Sequence, residues 1–190
     1  MDSKTITRPI LVTGATGYIA SWVIKKLLEQ GYAVHATVRD LNKTASFAHL
    51  EKIAQELNAN LKFFKANLLD EGSFDEAMQG CEVVLHMASP FLVTNFKDPI
   101  ADLVDPAVKG TINVLNSVNR TESVKRVVVT SSIASTYGDA IDILKTENNA
   151  FDESHWNTTS SPDHQPYYYS KVAAERKAWQ MQKAQSRWDL

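Results

Sequence analysis

Apolar residues fall in short runs separated by stretches with helical spacing, and the two patterns alternate along the chain. The run Ile10, Leu11, Val12 precedes Ile19, Val23, Leu27 and Leu28. This predicts a strand, then an amphipathic helix over 17–30 closed by Gly31. The same reading predicts strands at 33–38, 61–66, 82–87 and 125–130. Helices are predicted at 43–57, over a short segment opened by a Ser73/Glu76 capping box and ended at Gly80, from 98 to 119 with a kink at Pro106, and at 167–186. Residues 141–166 read as polar loop, and Trp188-Asp189-Leu190 as the beginning of another strand. Strands alternating with helices in this way predict an α/β protein, a three-layer doubly wound parallel sheet covered on both faces.

The first strand-to-helix junction carries Thr13-Gly14-Ala15-Thr16-Gly17-Tyr18-Ile19-Ala20. Gly14 lets the chain leave the strand in a tight turn. Gly17 lets backbone approach a bound pyrophosphate, and Ala20 keeps the helix close to the sheet. The unpaired N–H groups of the helix start then face phosphate, the arrangement of an NAD(P)-binding Rossmann-type fold. The second strand ends at Arg39, twenty-two residues beyond Gly17, where the ribose 2′ group is read. A guanidinium there clamps a 2′-phosphate through paired charge-assisted bonds, so NADPH is expected over NADH. Asp40 is the competing reader of a free 2′-hydroxyl, and Lys43 either adds charge or is a solvated lysine.

Ser131 and Ser132 stand at the end of the fifth strand, and Tyr167 and Lys171 lie four apart on one helix face. A neighbouring ammonium favours the phenolate, so the pair is expected to tune Tyr167 as a proton donor. His86 reads as a hydrogen-bonded structural histidine, and the four tryptophans as packing.

Composition narrows the choices further. The 190 residues suit one domain, and a net charge of −2 with interspersed signs offers no stripe for nucleic acid. The single Cys81 supplies neither a disulfide nor a zinc set and reads as a small buried residue, so no metal is expected. Residues 1–9 are polar without an apolar leader and no run reaches membrane length, so a cytoplasmic protein is expected.

Four stretches, 12–20, Thr37-Val38-Arg39-Asp40, His86-Met87-Ala88-Ser89-Pro90 and 167–175, together resemble the extended short-chain dehydrogenase/reductase superfamily, near dihydroflavonol 4-reductases and cinnamoyl-CoA reductases. Phe151-Asp152-Glu153-Ser154 with Trp156 supports that reductase subgroup. The resemblance implies an NADPH-dependent reduction of a small ketone or aldehyde. Ser132, with Ser131 as rival, would hydrogen-bond the substrate carbonyl. Tyr167 would donate the proton, and Lys171 would tune it and hold the nicotinamide ribose. It also implies cofactor contacts from Thr13, Gly14, Thr16, Gly17, Tyr18, Ile19, Arg39, Asn67, Leu68, Ala88, Ser89, Tyr167 and Lys171. Asn67 stands where relatives commonly carry Asp, and Ala107 where many carry Asn. Relatives continue into further strands and a substrate-binding region, so a longer natural chain is expected, and a homodimer by analogy. A nucleotide-sugar epimerase or dehydratase holding NAD, and a non-catalytic NADP(H)-binding module, are the alternatives.

Overall fold

The computed structural model describes residues 6–90 and 97–190. The first five positions of the polar 1–9 stretch lie outside them. Contacts group into two compact units: Met1–Ala88 with Asn113–Thr130 and Gln185–Leu190, and Ser89–Ile112 with Ser131–Ala184.

The first unit contains the sheet. Strands β1 (Ile10–Val12), β2 (Val34–Val38), β3 (Leu61–Lys65), β4 (Val83–His86) and β5 (Arg126–Val129) lie in the order β3-β2-β1-β4-β5. All four pairings are parallel, with Ile10 opposite both Val34 and Val83. The chain therefore winds outward first to one side of β1 and then to the other, the doubly wound topology expected. Side chains alternate across the pleat. Val34, Ala36 and Val38 join Val12 in a core with Ile24 and Leu28 of α1 (Tyr18–Glu29) and Leu50 and Ala54 of α2 (Ala48–Glu56). His35 points the other way and meets the Ala77 carbonyl of α3 (Asp75–Met78) at 2.7 Å. Helices on both faces make the three layers.

Several boundaries differ from expectation for local reasons. The helix expected over 43–57 breaks at Phe47, whose buried ring lies 4.4 Å from that of Phe63. The turn before it, Thr44–Ser46, is a single 3₁₀ turn. The Ser73/Glu76 capping box does not form. The Ser73 hydroxyl donates to the Asn67 carbonyl at 2.8 Å and accepts from the Asn67 N–H at 3.1 Å, and α3 starts after Phe74 without a side-chain cap. Where a further strand was expected to begin, Asp189 makes a single isolated parallel bridge opposite Arg126: its N–H reaches the Lys125 carbonyl at 3.0 Å, and its carbonyl accepts from Val127 at 2.8 Å. Beside it Trp188 is buried and donates to Asn119.

The second unit is built on α5 (Pro166–Lys183), which packs on a π-helical turn, Ile100–Val104, and on a 3₁₀ turn, Ile133–Ser135. The Asp98 carboxylate accepts from Ile100 and Ala101, starting the first turn as predicted. Helix α4 (Asp105–Arg120) follows, its residues divided between the two units. Pro106, lacking an N–H, cannot close the ordinary ladder bond, and the expected kink is realised as the wide turn just before it. Within the region read as loop, Ala140–Lys145 forms 3₁₀ turns, with the Asp142 carboxylate accepting from the Asp139 N–H at 3.0 Å.

Candidate active site

In the first unit the predicted phosphate cradle takes shape from backbone outward. Gly14 has φ +72°, and a Cβ there would come within 3.0 Å of Ala88, so this position needs glycine for conformation and for space. Its N–H donates to the Thr37 hydroxyl at 3.2 Å, and that of Ala15 to the Thr37 carbonyl at 2.9 Å. Gly17 then caps α1 with no side-chain bond and no acidic residue in the first turn. The helix start is left electropositive, with Tyr18 and Ile19 exposed beside it.

Thr13, expected as a cofactor contact, is fully buried. Its hydroxyl accepts from the N–H groups of Met87 (3.0 Å) and Ala88 (2.9 Å) and pairs with His86 Nδ1 (3.0 Å). Its side chain is consumed in joining the ends of β1 and β4, and His86 is the structural histidine its position suggested. Arg39 is exposed after β2 and, among the described residues, makes no hydrogen bond or ion pair. Asp40 is already used, accepting from the Asn42 N–H at 3.0 Å. Asn67 likewise turns its side chain onto the Leu69 N–H. The loop carrying Asn67 and Leu68 is held by Asn113, whose amide donates to the Leu68 and Asp70 carbonyls at 3.1 and 2.7 Å and accepts from Gly72 at 3.0 Å. Thr37 and Asn113 were not singled out in sequence. The signal for Asn113 was an amide between the apolar Ile112 and Val114 on a helix.

In the second unit α5 gathers the catalytic candidates. Tyr167 is half-buried, with the Ser132 hydroxyl beside its phenol. Lys171 Nζ lies 5.5 Å from the centre of the Tyr167 ring and donates to the Ser89 hydroxyl at 2.7 Å. Ser132 also accepts from the Ala134 N–H at 3.2 Å. Its rival Ser131 is turned elsewhere, donating to the Glu175 carboxylate and pairing with Ser135 at 3.1 Å. The two serines therefore separate: Ser131 is turned to Glu175 and Ser135, and the Ser132 hydroxyl is the one beside the phenol. A cavity of about 490 Å³ opens beside it, walled by Ser132, Phe151, Asp152, His155 and Trp156 among others.

The electrostatics differ from expectation in one respect. Burial raises the Tyr167 phenol above its ordinary value, the Ser132 bond pulling partly the other way, and burial lowers the Lys171 ammonium. Burial, rather than attraction between the two, sets both directions, and a raised phenol stays neutral at neutral pH.

A doubly wound parallel sheet with a glycine turn, an uncapped helix start and a serine–tyrosine–lysine cluster defines an NAD(P)-binding protein of Rossmann type. The chain belongs to the NAD dependent epimerase/dehydratase family, whose model matches residues 10–189. It is 46% identical over 186 residues to a cinnamoyl-CoA reductase of Medicago truncatula, covering 96% of this chain and 56% of that protein. It is 45% identical over 179 residues to a putative anthocyanidin reductase of Ginkgo biloba, covering 90% and 50%. Among solved structures it is similar to Gre2 of Candida albicans in complex with NADPH, with TM-score 0.76 and 33% identity over 94% of this chain and 54% of that one. The chain thus spans about half the length of the relatives it matches.

Proposed function

We propose that this chain is the cofactor-binding and catalytic part of an NADPH-dependent reductase that converts a small ketone or aldehyde to an alcohol in the cytoplasm. The observation that carries the reading is the grouping of Ser132 beside the Tyr167 phenol with Lys171 Nζ 5.5 Å from the ring centre. Sequence similarity to proteins described as reductases, and structural similarity to an NADPH complex, support it.

The residues suit the cofactor. The bare start of α1 would take the pyrophosphate, and Arg39, which makes no hydrogen bond or ion pair among the described residues while Asp40 does, would read the 2′-phosphate. Bound NADPH supplies a hydride to the carbonyl carbon. Tyr167 gives its proton to the carbonyl oxygen as negative charge develops there, and Ser132 donates a hydrogen bond to the same oxygen. Lys171 gives one N–H to Ser89, leaving two for the ribose hydroxyls.

Calorimetric titration with NADPH and NADH tests the reading. Tight NADPH and weak NADH binding is expected, with Arg39→Ala narrowing the difference, followed by NADPH oxidation on addition of a carbonyl substrate. Equal or tighter NADH binding, or NAD+ co-purifying with no net consumption of NADPH, overturns it in favour of epimerase-like chemistry.

A further inference from the structure

Helix α5 presents three functional side chains at successive turns of one face: Tyr167, Lys171 and Glu175. The first two belong to the proposed chemistry, whereas Glu175 touches neither the phenol nor the ammonium among its described contacts. Instead it holds the segment from which Ser132 projects. One carboxylate oxygen accepts from the Ser131 hydroxyl, and the other from Trp179 Nε1 at 3.3 Å.

Proton counting fixes the direction of this network. A carboxylate only accepts, so Ser131 spends its single proton on Glu175. The contact of 3.1 Å between Ser131 and Ser135 must then be donated by Ser135, which is buried. Ser135 in turn closes the following turn, its N–H donating to the Ser132 carbonyl at 2.9 Å, while Ala134 N–H fills an acceptor position on Ser132 Oγ. Ser132 is thereby held at both its carbonyl and its hydroxyl oxygen, its proton remaining to donate. Ser131 itself is exposed, so without the carboxylate the bond from Ser135 is what remains to fix its rotamer among the described contacts.

We propose that Glu175 is a positioning residue that acts through Ser131 to hold Ser132 against Tyr167. It rests on the reductase reading for its catalytic consequence, but the positioning itself is measurable without turnover.

The experiment is carbon NMR of the 190-residue chain labelled at tyrosine Cζ, with the Tyr167 resonance assigned by its loss in Tyr167→Phe. Ser132→Ala removes the hydroxyl beside the phenol directly and sets the reference shift. Glu175→Ala and Ser131→Ala each move the resonance in the same direction, and combining them moves it no farther than either alone. Glu175→Gln keeps an acceptor for Ser131 and leaves the resonance at its wild-type position. Where NADPH turnover is observed, Glu175→Ala lowers kcat by about tenfold with KM for NADPH little changed. A Tyr167 resonance unmoved in Glu175→Ala, or moved as far by Gln as by Ala, overturns the proposal. Should Glu175→Ala lose its cooperative thermal transition, Ser131→Ala, an exposed site, decides by the same criterion. Wild-type chain that oxidises no NADPH while these shifts are seen rejects the reductase reading and leaves the positioning role standing.

Discussion

Around the glycine turn nearly every contact begins or ends on backbone: Gly14 and Ala15 donate to Thr37, and Met87 and Ala88 donate to Thr13. Around Tyr167 the contacts run between side chains instead, from Lys171 to Ser89 and from Ser131 to Glu175, with the Ser132 hydroxyl beside the phenol. A phosphate-binding turn needs main-chain N–H groups in a fixed curve, and backbone conformation fixes them. Proton transfer needs a phenol, a hydroxyl and an ammonium at chosen places, and only side chains from separate segments supply them. The first site is therefore sensitive to shape and the second to single functional atoms.

The largest effect that sharpens this contrast is on rate. Tyr167→Phe keeps the ring and removes the proton, and turnover should fall by roughly 10²–10⁴, about 3–5 kcal/mol in the barrier. NADPH affinity and the unfolding midpoint should stay close to wild type, as calorimetry and urea titration would show. Gly14→Ala should do the converse. Its φ of +72° and the 3.0 Å approach to Ala88 combine strain with a clash, costing about 2–4 kcal/mol in urea unfolding and abolishing cofactor binding. Gly31→Ala is the control: φ is +82° but no atom lies within 4 Å of the added Cβ, so about 1–2 kcal/mol is expected and binding survives. Equal losses at both glycines would break the claim that shape at the turn matters beyond its conformation.

The contrast also explains how much could be read in advance. The turn, its strand and its helix lie within one stretch, so periodicity and two glycines revealed them, and the sheet followed from the alternation of elements. Tyr167 and Lys171 were legible because a helix makes residues four apart neighbours. Ser89 was expected only on the cofactor, since its bond to Lys171 spans 82 positions and no local spacing encodes it. The separation of Ser131 from Ser132 was likewise invisible until Glu175 took one of them. Thr13 carries a second role that its place in the motif did not show: its buried hydroxyl turns inward to satisfy two backbone donors. The capping box failed for a similar reason, a loop carbonyl and N–H competing for the Ser73 hydroxyl.

Two hydroxyls set the next test. Thr13→Val leaves the N–H groups of Met87 and Ala88 without their acceptor in a buried place, at a cost of about 1–3 kcal/mol in urea unfolding. Ser132→Ala, in contrast, should cost under about 1 kcal/mol of stability while lowering kcat. Stability losses in the reverse order would show that the second site, too, is built chiefly for the fold.

The smallest effect separates the charged network of the second unit from both sites. Asp142 is buried, accepts from Lys145 Nζ at 2.8 Å, Thr159 at 2.6 Å and the Asp139 N–H at 3.0 Å, and these bonds hold its carboxyl well below the usual carboxylate range. A group whose folded value is depressed stabilises the fold above its unfolded value, about pH 3.9, and loses that contribution as pH falls below it. Asp142→Asn should therefore cost about 1 kcal/mol in urea unfolding at pH 7. The difference from wild type should shrink as the pH is lowered below about 4, because the unfolded chain's carboxyl then takes up a proton that the hydrogen-bonded folded carboxylate does not, which favours unfolding of the wild type. Turnover at pH 7 should hardly change, since the network touches neither Ser132 nor Tyr167. A difference that is constant with pH would mean that Asp142 acts through packing rather than charge, and the side-chain character of this unit would then be limited to the cluster around Tyr167.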